Sequence, residues 1–138
     1  MVEFIKHDNC VIAIIVYNDH FIEENEIQFL TPNDYSLQLG YMNRPKGYQV
    51  KPHIHNPVQR KTIGTQESLF IKKGVIEIDF YSFDQVYLES RMLSAGDMVL
   101  LAGAGHGITI IESAMIVEVK NGPFIPESDK GRFDGVKQ

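Results

Sequence analysis

The sequence predicts an all-β domain, a sandwich or a barrel, on three observations. Short runs rich in β-branched and aromatic residues recur along the chain, separated by Gly, Pro, Asn and Asp clusters. Several of these runs alternate apolar and polar residues, the period of a half-buried strand. No long segment carries a helical period.

The chain has 138 residues, enough for one domain with a core of its own, and the whole of 1–138 is taken as that domain. Apolar residues make up 43% and charged residues 22%, as in soluble globular proteins. The net charge of −5, with no dense basic run, argues against nucleic-acid and anionic-membrane partners. The longest apolar run, CVIAIIVY, is eight residues, too short to span a bilayer, and no signal peptide is seen at the N-terminus. Cys10 is the single cysteine, so no intrachain disulfide forms, and a reducing, cytoplasmic location is expected.

Taken in order, residues 10–17 read as a strand buried on both faces or covered by a partner subunit. Residues 20–30 are ambiguous, with a solvated acidic cluster at Glu23, Glu24 and Glu26, and 31–35 (TPNDY) resemble the start of a short helical turn. Residues 35–43 alternate, placing Tyr35, Leu37, Leu39 and Tyr41 on one face of a strand. A turn at 44–47 leads into 48–55 (YQVKPHIH), extended because Pro52 disfavours helix before it. Residues 56–65 form a loop. Strands follow over 66–72, 75–81, 86–93, 98–102, 108–111 and 114–120, and the tail 121–138 packs outside as coil with its last residues loose.

The candidate site residues are histidines and a glutamate. His53 and His55 share a face of an extended segment, with backbone positions about 7 Å apart along the strand. Glu67 opens a strand, and His106 sits among Gly103, Gly105 and Gly107, which let backbone pass close by. Imidazole and carboxylate are common ligands of Fe, Mn, Ni, Co, Cu and Zn, and inward residues of a closed barrel meet near its axis. His53, His55, Glu67 and His106 are therefore expected to share one divalent transition-metal ion. The plainer alternatives are a structural hydrogen bond for His106, and for Glu67 a solvent-facing position or a pairing with Arg60. His7 and His20 are read as surface residues.

This pattern resembles the cupin superfamily, the double-stranded β-helix or jelly-roll barrel. Gly47 is followed by five residues and then His53-x-His55, and Glu67 is followed by six residues and then Gly74; Gly96, Gly103 and His106 match the second motif. The resemblance covers about 36–120, leaving strands over 10–30 at the N-terminal side and the tail 121–138. It implies His53, His55, Glu67 and His106 as metal ligands. The chain departs from the motif in three ways. Eleven residues separate His55 from Glu67, a longer spacer than the motif carries; Leu101 or Ala102 stands in the place of a proline; Ile110 stands in the place of an asparagine. A one-residue strand shift would put Gln66 in the position of Glu67.

The resemblance implies a metal-dependent enzyme acting on a small polar molecule such as a sugar or organic acid, of oxygenase or isomerase type. The alternatives are a non-catalytic ligand-binding or regulatory module and a metal-free epimerase. A looser likeness of FIKKG, GDMVLLAGAGHG and EVKNGPF to small cupins of bacterial surface-sugar synthesis points to carbohydrate. Arg44, Arg60 and Lys61 are candidate anchors for a carboxylate or phosphate, with Tyr41 and Tyr48 as acid/base or packing residues. The apolar 10–17 strand leads to the expectation of a homodimer.

Overall fold

The structure, a computed structural model, describes residues 1–62, 64–126 and 130–137. Among them the chain is all-β, with no helix and hence none long and apolar enough to cross a membrane. Its strands are β1 (Val2–His7), β2 (Cys10–Val16), β3 (Ile27–Phe29), β4 (Gly40–Met42), β5 (Glu67–Tyr81), β6 (Tyr87–Ser94), β7 (Met98–Leu101) and β8 (Gly105–Lys120). The main sheet is antiparallel and runs β1-β2-β7-β5-β6, with β8 on the other edge of β5. It curls into a half-barrel, and β3 and β4 make a separate hairpin.

Strand β2 is apolar on both faces because both are covered. Ala13 and Ile15 belong to the central cluster with Leu69, Ile71, Ile76, Ile78 and Phe80. Ile14 and Val16 face the other way, onto Leu39 and Leu100, with Tyr35, Leu37 and Tyr41 packed alongside. The cover that the sequence alone left open to a partner subunit thus comes from the chain itself. Tyr35, Leu37, Leu39 and Tyr41 share a face as expected, but only Gly40–Met42 is strand. Upstream, the Gln38 side chain donates to the carbonyls of Pro32 and Tyr35, which curls the backbone into turns. The expected helical turn at 31–35 is reduced to a bend in which Tyr35 N–H donates to the Pro32 carbonyl.

Strand β1 was not apparent from sequence, because Glu3 and Lys6 interrupt its apolar residues. It is nonetheless held as an edge strand. Arg91 grips the Glu3 carboxylate at 2.7 Å, and the Tyr17 hydroxyl donates to the same group at 2.7 Å. A second carboxylate, Asp97, is buried in the turn between β6 and β7 and accepts from the backbone N–H groups of Asn18 and Ser94.

The feature that positions the site is the long β5/β8 ribbon. Two strand pairs were expected from sequence; the structure joins them into two continuous strands, of 15 and 16 residues. The ladder slips repeatedly between Ile71 and Ile76, and there the ribbon folds over. Gly74 sits in that bend at φ +84°, and a Cβ on it would lie 2.3 Å from the Ser113 carbonyl oxygen. Only glycine satisfies both the left-handed backbone and the close approach.

Substitution separates these two demands. Gly74→Ala meets backbone strain and a backbone clash, whereas Gly47→Ala, at φ +87° with open space around it, meets strain alone. Strain of this kind costs roughly 1–3 kcal/mol. Urea denaturation is expected to show a larger loss for Gly74→Ala than for Gly47→Ala; equal losses would mean the ribbon bend does not need the close contact.

Candidate functional site

Register alone would keep Glu67 and His106 apart. Glu67 pairs with Lys120 at one end of the ribbon, while His106 pairs with Phe80, thirteen residues along β5. At about 3.3 Å per residue a flat ribbon would separate them by roughly 40 Å. Because the ribbon folds over, His106 Nε2 lies 2.7 Å from Glu67 Oε1. Both residues line an open cleft of about 1210 Å³.

Glu67 is buried, with its side chain 8% exposed, and His106 is 30% exposed, so the carboxylate is the inner member and the imidazole faces the cleft. In the neutral imidazole Nε2–H donates to the carboxylate, leaving Nδ1 as an acceptor. That hydrogen bond is the largest influence holding the Glu67 carboxyl below its ordinary value; burial opposes it, and the charges of His106, Lys130 and Lys120 add to the lowering. Gln66 is used differently. Its side-chain oxygen accepts from Leu37 N–H at 2.9 Å and Ser36 Oγ at 3.0 Å. It pins the segment before β4, and Glu67 is the residue that enters the cleft.

His53 and His55 lie elsewhere. The 48–55 segment, expected as a strand, makes no ladder, and residues 48–62 are exposed. The two rings meet edge to face at 5.3 Å, and His53 Nδ1 lies 2.9 Å from the Lys51 carbonyl oxygen. Neither lines the cleft. Among the described residues no three His, Cys, Asp or Glu side chains come together as a metal-binding group. As arranged, then, the four residues do not surround one point: Glu67 and His106 form one pair and His53 and His55 another.

The expected anchors also divide. Arg60 lines the cleft, and Lys61 does not. Arg44 donates to the Asn25 carbonyl at 2.6 Å and lies over the Tyr48 ring at 4.8 Å, so both hold the turn that follows β4. Tyr41 packs on His20 and donates to its backbone carbonyl at 2.9 Å.

Sequence reasoning missed the tail. Lys130, Arg132 and Phe133 form part of the cleft wall, together with Tyr81. Phe133 meets Tyr81 edge to face at 5.2 Å, and Lys137 pairs with Asp79 at 2.8 Å and with Glu77. The end of the described tail is therefore seated on β5 rather than loose; residues 127–129 and 138 of the tail, and Ile63 of the 56–65 loop, lie outside the described residues. The signal that could have found it was the mixture of cations and an aromatic in KGRFDGVK within an otherwise polar segment. No family model, curated protein or solved structure matches this chain.

A depressed carboxyl stabilises the fold above its unfolded value, here 4.5, and that contribution is lost as pH falls through the folded value. Glu67→Gln is expected to lose about 1.5–3 kcal/mol near pH 7, the range for a hydrogen bond to a charged group. The gap from the parent protein closes as pH drops below 4.5. Chemical denaturation at several pH values checks this; a gap that stays constant would show that the carboxylate charge contributes nothing.

Proposed function

We propose that the cleft is a small-molecule site in which Glu67 and His106 transfer a proton on a polar substrate such as a sugar or an organic acid. One observation carries the reading: an imidazole paired at 2.7 Å with a buried carboxylate, on the wall of a cleft large enough for such a ligand. Glu67 orients the ring by accepting from its Nε2–H. His106 then offers Nδ1 to a ligand as general base, and the resulting N–H as general acid. This is isomerase- or epimerase-type chemistry. The jelly-roll assignment belongs to the same reading, supported by a long β5/β8 ribbon, bent between Ile71 and Ile76, within a curled antiparallel sheet. A cytoplasmic setting fits the lone, unpaired Cys10.

A second reading keeps the metal. It is favoured by the meeting of two of the four ligand-type residues, Glu67 and His106, despite their separation along the ribbon. It requires His53 and His55 to be brought to them. The non-catalytic alternative uses the same cleft without turnover.

The homodimer is also retained, with a different surface. Residues 10–16 are already covered, whereas β8 has one edge outside the sheet pairings. On the ribbon's outer face Phe70 lies opposite Val117, and both are exposed, as are Met115 and Val119. Antiparallel pairing of β8 with a second copy would cover this edge symmetrically.

Incubation with sugar phosphates and with hydroxy and keto acids in D₂O, followed by proton NMR, tests the first reading. Exchange of a substrate C–H that is lost in Glu67→Gln and His106→Gln but retained in His53→Ala/His55→Ala is the expected result. Elemental analysis tests the second: stoichiometric metal in the parent protein that disappears in both His53→Ala and His106→Ala would replace the proton-transfer reading with the metal one. Binding with no exchange and no metal would leave the non-catalytic alternative. Light scattering is expected to give twice the chain mass, falling to the chain mass in Val117→Lys; a monomeric parent protein would refute the dimer.

A further inference from the structure

The charge of the cleft runs opposite to that of the chain. The whole sequence carries −5, yet the described cleft residues include three permanent cations, Arg60, Lys130 and Arg132, against one carboxylate, Glu67. That carboxylate is already engaged by His106. None of the three cations has an ion-pair partner among the described residues, in contrast to Arg91, which is held by Glu3 and Glu89. The two tail cations are kept at the cleft by contacts of the residues that follow them in the chain. Phe133 is seated on Tyr81, and Lys137 is tied to Asp79, itself buried and hydrogen-bonded to Ser90 Oγ at 2.5 Å. Cations of one sign gathered in a concave site focus potential and concentrate anions there, and guanidinium groups match the planar oxygens of carboxylate and phosphate.

We propose that Arg60, Lys130 and Arg132 form an oxyanion clamp at this cleft, so that the ligand handled by Glu67 and His106 carries a phosphate or carboxylate group. The clamp rests on the small-molecule reading of the cleft and adds the class of ligand and the part played by the tail. It places the anionic group toward the basic wall and leaves the neutral part of the ligand for the imidazole. The Tyr81–Phe133 pair offers an apolar surface between the two.

Amide NMR titration of the full chain tests the proposal, with inorganic pyrophosphate, succinate and glucose as probes. Pyrophosphate or succinate is expected to shift the amides of Gly103, Gly107 and Gly131, all at the cleft, and glucose at equal concentration is not. Whichever anion binds more tightly identifies the oxyanion the clamp favours. Lys130→Gln/Arg132→Gln should weaken that binding at least about tenfold at low salt, an effect that shrinks as salt screens the charges. Lys46→Gln/Lys51→Gln, which removes the same charge from exposed positions that do not line the cleft, should leave the affinity unchanged. Equal weakening by both double variants, anion-induced shifts away from the cleft, or no shifts with either anion would overturn the clamp. A neutral ligand binding at the cleft with dependence on Glu67 and His106 but not on the tail cations would overturn it while leaving the small-molecule reading in place.

Discussion

The contact between His106 and Glu67 depends on a fold in a two-stranded ribbon. Strands β5 and β8 pair along almost their whole length, and without the slips between Ile71 and Ile76 their ends would point away from each other. The bend brings the Glu67 end of β5 across to the His106 end of β8. It also encloses the central apolar cluster, since Leu69 and Ile71 on one arm of β5 pack in the same cluster as Ile76, Ile78 and Phe80 on the other. Core and site therefore have one geometric cause: closing the ribbon over its apolar residues is what places the imidazole beside the carboxylate.

Burial sets the division of labour within the pair. A carboxylate taken out of water needs a donor, and the imidazole supplies it at 2.7 Å. The imidazole, less buried, keeps one nitrogen for the cleft. Lys130 of the tail and Lys120 at the end of β8 add to the stabilisation of the carboxylate, and Arg60, Lys130 and Arg132 line the cleft. Asp79 meets the same requirement differently: it is buried beside Ser90 and Lys137 and serves to seat the tail.

Much of this was legible in the sequence, in proportion to how local the signal was. Short apolar runs between turn residues located the strands that make up β5 to β8, whereas the inward position of Glu67 was implied by the resemblance to the cupin motif, its place at a strand start leaving a solvent-facing position open. The face shared by Tyr35, Leu37, Leu39 and Tyr41 was legible even where the ladder was not, because packing follows side-chain spacing while the Gln38 side chain diverts the backbone. Strand β1 was hidden by Glu3, whose charge is neutralised by Arg91, a partner 88 residues away in sequence. The tail was hidden for the same reason: the cations and aromatic of KGRFDGVK are a local signal for a contact, but their partners Tyr81 and Asp79 are remote in sequence. Pro52 argued for an extended segment at 48–55, but 48–62 forms no ladder, so the face that His53 and His55 would share on a strand has no sheet to act on.

The most direct measurement is ¹⁵N NMR of the His106 imidazole, observed in its neutral form in the parent protein and in Glu67→Ala. The expected result is that the parent ring carries its proton on Nε2, with Nδ1 bare, and that removal of the Glu67 carboxylate abolishes this preference. An imidazole signal identical in the two proteins, or a proton on Nδ1 in the parent, would contradict the pairing on which the proposed chemistry depends.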